Sequence, residues 1–215
     1  MIRRMINRES YFNHVRVDPF GGSLTQQQVD GQNVILDRWE VDPETTDLRW
    51  AAYGLATTYH ETASTMWPIE EYGKGKGMKY GTPDPQTKQT YYGRGFVQLT
   101  WRDNYAKATK YLNLVGTDDL EWHAHRALDL AIASDVMFYG MIEGWFRTKD
   151  NKPETLPRYF SATVNDPFNA RGIINGDKFT VPKWSGGVSI GALIAGYHAA
   201  FLLALQASDE GALVA

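Results

Sequence analysis

The chain has 215 residues, 43% of them hydrophobic and 22% charged, which is an ordinary balance for a globular protein with one substantial core. Its net charge of -3 shows no excess of basic residues of the kind that binds nucleic acid, so nucleic acid is not an expected partner. It has no cysteine, which excludes disulfides, thiolate catalysis and cysteine-type zinc sites and fits a protein made in a reducing cytosol.

The opening part of the chain, residues 1–45, predicts a helical lead-in. Residues 1–16 and the stretch after Thr25 both have apolar positions at helical spacing. Asp42 followed directly by Pro43 is a standard signal for the start of a helix. We therefore expect the next helix to begin there and to end near residue 61.

The end of that helix is the most informative position in the sequence. The apolar positions that lead up to it recur at spacings of three and four: Leu48, Ala52, Leu55 and Tyr59. On the same helical wheel Glu61 falls on a different stripe, whose middle positions are small. A carboxylate at a helix end beside small side chains can lie in the floor of a groove.

The middle of the chain predicts one long loop and two more helices. Residues 66–90 are rich in glycine, proline and lysine, and a long polar loop in a compact domain is usually functional or disordered. Residues 103–114 and 124–146 return to helical spacing. We expect an all-α single domain over residues 1–215, with at most a small β-hairpin near residues 70–98.

A C-terminal stretch is apolar enough to raise the question of a membrane. From Trp184 to Ser208 there is no Lys, Arg, Asp or Glu, and an apolar run of this length can just span a bilayer. His198 and the glycines between residues 186 and 196 interrupt the run, and no basic flank follows it. We therefore expect a buried core helix and no membrane partner.

A pair of acidic side chains suggests a reaction class. Glycoside hydrolysis in its common form needs two carboxyl groups, one to protonate the leaving oxygen and one to act on the other face of the sugar. Glu61, with Glu70 or Glu71 nine or ten residues further along a loop, supplies such a pair. Acidic pairs are common in proteins, so the pair by itself is weak evidence.

Three motifs in a fixed order make the prediction specific. Residues 91–101 read YYGRGFVQLTW and are followed by Asn104 and Tyr105, residues 60–62 read HET, and residues 173–176 read IING. Together they resemble the signature of glycoside hydrolase family 19, the chitinases and related phage lysins, over roughly residues 48–205. Two departures from the plant chitinases, the absence of cysteine and a shorter loop after the HET motif, place the chain nearer the bacterial and phage forms.

The resemblance implies a lysozyme-like fold, inversion at the reacting carbon, no cofactor and a set of residue roles. It makes Glu61 the general acid and Thr100 the group that helps to hold the attacking water. The implied base is Glu71 or Glu70, and Glu71 is preferred because Glu-Tyr-Gly resembles the motif around the base in the lysin-like branch. The implied sugar-binding or bracing residues are Tyr92, Arg94, Gln98, Asn104 and Asn175.

Several of these residues have a plain structural interpretation as well. Arg94 between two glycines fits a buried structural arginine, and Asn175 before Gly176 is a common turn pair. His60 lacks the second histidine of a zinc-protease helix, so no metal is expected. For Glu61 to hold a proton when substrate binds, we expect an apolar lining, with the rings of Tyr59, Trp67 and Tyr92 as candidates.

The favoured hypothesis is a monomeric glycosidase that cleaves the β-1,4-linked amino-sugar glycan of peptidoglycan. Its first rival is a chitinase on the same fold, and its second is a glycan-binding protein that has lost catalysis. Residues 1–9 have the charges of a signal peptide but no apolar run after them. We therefore expect synthesis in the cytoplasm and action on the cell wall after holin-type release.

Overall fold

The computed structural model describes residues 2–41 and 46–214 of the chain and is mainly helical. Its α-helices are α1 Arg8–Val17, α2 Gln26–Val41, α3 Leu48–Glu61, α4 Arg102–Tyr111, α5 Leu130–Glu143, α6 Leu156–Tyr159 and α7 Ile190–Ser208. Short 3₁₀ turns lie at Lys79–Gly81, Gly116–Asp118, Ala124–Leu128 and Asn169–Ile173. The predicted all-α class is confirmed.

The strands are short and form three antiparallel pairs. They are β1 Ile2–Ile6 with β6 Asp209–Val214, β2 Ile69–Glu70 with β3 Arg94–Gly95, and β4 Thr148–Lys149 with β5 Lys152–Pro153. The β2–β3 pair is the small hairpin predicted near residues 70–98. The β1–β6 pair corrects the prediction of a helix over residues 1–16, because the partner of β1 lies at the far end of the sequence and local spacing cannot reveal it.

Helix α3 runs through the core and carries Glu61 at its last position. Asp47 caps its start by accepting a hydrogen bond from the N–H of Arg49. The predicted start at Asp42 and Pro43 lies outside the described residues. A Cβ on Gly54 would lie 3.1 Å from the Cε of Met137, so the absence of a side chain at Gly54 leaves room for the side chain of Met137 on α5.

This packing revises the expected groove along α3. The small stripe that leads to Glu61 includes Gly54 and Thr57, and both are buried. The stripe is therefore covered by protein along most of its length, and its end at Glu61 reaches an open cleft.

Helix α7 is the C-terminal apolar stretch, and it is long and apolar enough to cross a membrane by length and composition alone. In the structure it packs against α3 and α1, with Ile194, Phe201 and Leu205 fully buried. Leu203 on its other side is exposed. One face of α7 thus belongs to the core, as the sequence predicts.

The helices predicted over residues 103–114 and 124–146 are present with different bounds. The second begins as a 3₁₀ turn and becomes α5 only after Asp129, whose carboxylate accepts hydrogen bonds from the N–H groups of Ala131 and Ile132. It ends at Gly144, which has a left-handed backbone that favours glycine.

Candidate active site

A cleft of about 390 Å³ lies where the end of α3 meets the segment before α4 and the segment after the Asn169–Ile173 turn. Its polar lining consists of Glu61, Gln98, Thr100, Asn104 and Asn175. Its apolar and aromatic lining consists of Tyr80, Val97, Trp101, Phe146 and Ile174. The cleft therefore brings together members of all three sequence motifs, which lie far apart along the chain.

Glu61 is held by a buried arginine. Its side chain is 14% exposed, and Oε1 accepts a hydrogen bond from Nη1 of Arg171. Arg171 in turn donates from Nε and Nη2 to the two carboxylate oxygens of Asp177, at 2.7 and 3.0 Å. A planar guanidinium that bridges two carboxylates fixes the orientation of each.

The charges in this triad shift its ionisation in defined directions. Burial works to lower the pKa of Arg171, but the hydrogen bond to Asp177 and the nearby carboxylates raise it above its ordinary value. Burial would raise the pKa of Asp177, and the hydrogen bond and charge of Arg171 outweigh it and lower that pKa. Arg171 and Asp177 therefore both stay charged in the folded protein at neutral pH.

The cleft beside Glu61 is partly apolar, but none of the three rings expected to line it, those of Tyr59, Trp67 and Tyr92, does so. The ring of Tyr59 packs on the rings of Phe20 and Tyr197, with centroids 5.1 and 4.7 Å away, outside the cleft. Tyr92 turns its hydroxyl towards Glu70 instead. The sequence-based expectation is wrong here because it placed side chains by their nearness along the chain, and the guanidinium comes from a segment 110 residues away.

Three of the predicted polar residues in the cleft donate hydrogen bonds from their side chains to backbone carbonyl groups. Thr100 donates its hydroxyl hydrogen to the carbonyl of Gln98 at 2.7 Å, which leaves its oxygen to accept. Asn104 donates to the carbonyl of Thr100 at 2.9 Å, and Gln98 donates to the carbonyl of Ile69 at 3.2 Å. These bonds fix the side chains on the wall of the cleft.

Asn175 belongs to the same cleft but sits in a turn, as its plain structural interpretation predicts. Its Oδ1 accepts a hydrogen bond from the N–H of Gly176 at 2.7 Å, and its side chain is exposed. The residue therefore both shapes the turn and faces the cleft.

Arg94 and Tyr92 brace the site and do not line the cleft. Arg94 is buried, with Nη1 donating to the carbonyl of Thr90 at 2.8 Å and to the hydroxyl of Tyr105 at 3.2 Å. Its guanidinium carbon lies 3.6 Å from the centre of the Tyr92 ring. The two side chains are buried against each other within the loop. This burial does not fit the contact with substrate that the sequence predicts.

The two candidate bases lie side by side on the hairpin but face different partners. Glu70 accepts from the hydroxyl of Tyr92 at 2.5 Å and pairs with Lys74 at 2.8 Å. Glu71 accepts from the N–H of Gly93 at 3.1 Å and from the hydroxyl of Tyr80 at 3.4 Å. Neither carboxylate is among the residues that line the cleft, but Tyr80 lines it and links Glu71 to it through this hydrogen bond.

The hydrogen bonds of Glu70 set its ionisation. The bond to Lys74, followed by the bond to Tyr92, lowers the pKa of the Glu70 carboxyl, and burial opposes them weakly. A carboxyl group whose pKa is lowered in this way is a weaker base towards water.

Sequence reasoning missed Arg171 and the aromatic walls of the cleft. Arg171 carried one usable signal, a single charge inside the otherwise apolar run from Ala170 to Ile174. Trp101 has a left-handed backbone, with φ of 74°, and is 47% exposed at the cleft. Its ring meets that of Tyr80 edge to face, with centroids 5.0 Å apart.

Among residues 2–41 and 46–214, no group of three or more His, Asp or Glu side chains is placed to hold a metal ion.

Comparison with known sequences gives two plant relatives, and no family model matches the chain. An endochitinase of Arabidopsis thaliana is 33% identical over 111 residues, which cover 51% of this chain and 36% of that protein. A second Arabidopsis thaliana endochitinase is 43% identical over 61 residues, 28% of this chain and 21% of that protein. The chain thus matches about a third of the length of one relative and about a fifth of the other.

Comparison with solved structures covers nearly the whole chain. A bacterial family 19 chitinase matches with a TM-score of 0.54 and 22% identity, over 93% of this chain and 94% of that one. Chitinase C from Streptomyces griseus HUT6037 matches with a TM-score of 0.56 and 20% identity, over 94% of this chain and 76% of that one. The fold of this chain is the fold of these chitinases, and the resemblance to glycoside hydrolase family 19 that the three motifs predict is confirmed.

Proposed function

We propose that this chain is an inverting glycoside hydrolase that cleaves β-1,4-linked amino-sugar glycan. One observation carries the proposal: Glu61, Thr100 and Asn175, from three separate motifs, line a single cleft. Aromatic rings on the cleft wall suit the flat apolar faces of sugar rings, and the polar side chains suit their hydroxyl and acetamido groups.

Glu61 is proposed as the general acid. Arg171 donates a hydrogen bond to one of its carboxylate oxygens, Oε1, and holds the side chain where it lines the cleft. A glycan in the cleft displaces water from around this carboxyl group. Glu61 then gives its proton to the glycosidic oxygen as the bond to the sugar breaks.

Glu71 is proposed as the general base, with Thr100 holding the attacking water. The Thr100 hydroxyl donates to a backbone carbonyl, so its oxygen accepts from the water. Inversion requires the two carboxyl groups about 6.5–9.5 Å apart, with the water between the base and the sugar. Glu71 suits the role better than Glu70 because its hydrogen bond to Tyr80 links it to the cleft, whereas Lys74 and Tyr92 hold Glu70.

Peptidoglycan is the first proposed substrate. The loop over residues 66–90 carries Tyr80 of the cleft, and it exposes Lys76 and Lys79 close to Tyr80 in the sequence. Exposed cations suit the carboxylates of the peptides in peptidoglycan, whereas chitin carries no such charge. Action on the cell wall after holin-type release remains a prediction from sequence.

Chitin is the second candidate, and the names of the relatives favour it. Both curated relatives are endochitinases, and the matched structures are chitinases. Chitin and the glycan of peptidoglycan share β-1,4-linked N-acetylated sugars, so the same cleft chemistry serves either.

The test measures reducing ends released from purified sacculi and from chitin oligosaccharides by one preparation. We expect faster release from sacculi, and NMR of the first product should show the inverted anomer. Faster turnover of chitin would reverse the order of the two substrates. Binding without hydrolysis of either would favour the non-catalytic alternative and contradict the proposal.

A further inference from the structure

A second hollow, of about 360 Å³, lies on the neighbouring face of the last turn of α3. Its described lining is Tyr59, His60, Ala63, Ser64, Trp184 and Tyr197, and we call it the Trp184 hollow. His60 lines this hollow and Glu61 lines the cleft. Because consecutive Cα atoms are about 3.8 Å apart, the two sites take side chains from neighbouring backbone positions.

The segment that holds Glu61 also builds this hollow. Arg171 and Asp177 fix the general acid, and the loop that follows Asp177 carries Trp184 to the hollow. The indole of Trp184 is 68% exposed, and its ring lies 6.5 Å from the imidazole of His60 at a tilt of 39°. An exposed aromatic surface with a polar rim is typical of a ligand-binding groove.

The lining indicates an uncharged ligand with flat apolar faces. The rings of Tyr59 and Tyr197 pack against each other, with centroids 4.7 Å apart, beside the exposed indole. Among the described residues that line the hollow, none carries a formal charge at neutral pH, because burial lowers the pKa of His60 despite the nearby charge of Glu61. A neutral imidazole donates from one nitrogen and accepts at the other, which suits hydroxyl and acetamido groups.

We propose that the Trp184 hollow is a second glycan-binding site, which holds an N-acetylated sugar unit of the same polymer whose linkage lies in the cleft. The inference rests on the proposed function for the identity of the polymer. An aromatic platform beside the cleft would keep the enzyme on a long strand. Short oligosaccharides that fill only the cleft would gain no binding affinity from the Trp184 hollow.

The experiment compares Trp184→Ala, Trp184→Phe and Trp122→Ala in a Glu61→Gln background, so that the polymer is not digested. Binding is measured by co-sedimentation with insoluble chitin and with purified sacculi. We expect Trp184→Ala to weaken binding to at least one polymer about tenfold and Trp184→Phe to keep most of the affinity. Trp122→Ala is the matched control, because it removes another exposed indole, 45% exposed, that lines neither site.

A second measurement uses the same three substitutions with Glu61 intact. The ratio of polymer turnover to turnover of a chitin tetrasaccharide should fall about tenfold for Trp184→Ala and stay constant for Trp122→Ala. Equal losses on polymer and tetrasaccharide would overturn the inference by assigning Trp184 to the cleavage cleft. Polymer affinity of Trp184→Ala equal to that of the control would overturn it as well.

These outcomes are separable from failure of the proposed function. If the unaltered chain hydrolyses neither glycan, the proposed function fails. A loss of polymer binding confined to Trp184→Ala, with thermal melting unchanged, would still support the second site.

Discussion

Two regions beside the cleft hold their carboxylates by different means: the end of α3, which we call the helical wall, and the β2–β3 hairpin with the loop that carries Tyr80 to the cleft, which we call the hairpin wall. On the helical wall, Glu61 ends a helix that runs through the core, and the buried side chain of Arg171 ties it to Asp177. On the hairpin wall, Glu71 follows a two-residue strand, and its partners are the N–H of Gly93 and the hydroxyl of Tyr80.

The difference separates stability from activity. The helical wall combines core packing with a buried ion-pair network, so removing the central cation, Arg171, leaves two carboxylates unpaired in a desolvated place. On the hairpin wall Glu71 is held by hydrogen bonds to backbone and to a tyrosine. We expect loss of Arg171 to affect folding and cleavage together, and substitutions of the hairpin carboxylates to affect cleavage alone.

The largest expected effect is on cleavage by Glu61→Gln. The amide keeps the shape and can still accept a hydrogen bond from Arg171, but it has no proton to transfer. Activity should fall by about 10²- to 10⁴-fold, the usual value of general acid catalysis, with unfolding in urea almost unchanged. Near-normal release of reducing ends would show that the acid lies elsewhere.

Removal of Arg171 tests the helical wall directly. Arg171→Met leaves Glu61 and Asp177 facing each other without the cation between them, and the free energy of unfolding should fall by about 3–5 kcal/mol. Arg126→Met is the control, because that arginine pairs with Asp118 at a more exposed site, where loss of a pair costs about 1 kcal/mol or less. Equal losses in urea unfolding for the two variants would contradict the proposed difference between the walls.

The hairpin wall is tested by comparing two neighbouring carboxylates. Glu71→Gln should lower cleavage by about 10²-fold or more, since it removes the proposed base, and stability should change little. Glu70→Gln is the matched change one residue away, and we expect a clearly smaller loss of activity. If Glu70→Gln were the more damaging variant, the assignment of the base would pass to Glu70.

We expect the stability of the folded protein to depend on pH through His198, a buried residue. His198 of α7 stacks on Phe160 with ring centroids 5.2 Å apart, and burial lowers its pKa to about 4. Between about pH 6.5 and 4 the imidazole of His198 binds a proton in the unfolded chain and does not bind one in the folded chain. The free energy of unfolding therefore falls as the pH falls through this window.

The expected loss between pH 7 and 4 is up to about 3 kcal/mol from this group. His198→Phe should remove that part of the slope in urea titrations, and His125→Phe, at an exposed position, should leave it in place. Identical slopes in all three proteins would show that His198 is not responsible.

The smallest expected effect concerns the substrate. Lys76→Gln with Lys79→Gln removes two exposed cations close to Tyr80 in the sequence. We expect a loss of about two- to fivefold on sacculi at low salt, no change on chitin oligosaccharides and no difference at high salt, because exposed charges are screened. The same loss on both substrates would weaken the case for peptidoglycan.

Sequence alone determined the helical class, the small hairpin and the motifs whose residues line the cleft. The reason is that each rests on a local pattern: apolar spacing for α3 and α7, and a contiguous run for residues 91–101. The choice of Glu61 needed only its place at the end of such a helix and the motif around it. Its role as the acid stays a prediction until the substitutions are made.

Tertiary structure decided which partners these residues have. Arg171 reaches Glu61 across 110 positions, and Tyr92 and Arg94 turn inwards to pack on each other. The β1–β6 pair joins opposite ends of the sequence in the same way. Such contacts depend on how distant segments pack together in the folded core. The spacing of residues along a single sequence does not show which segments will do so.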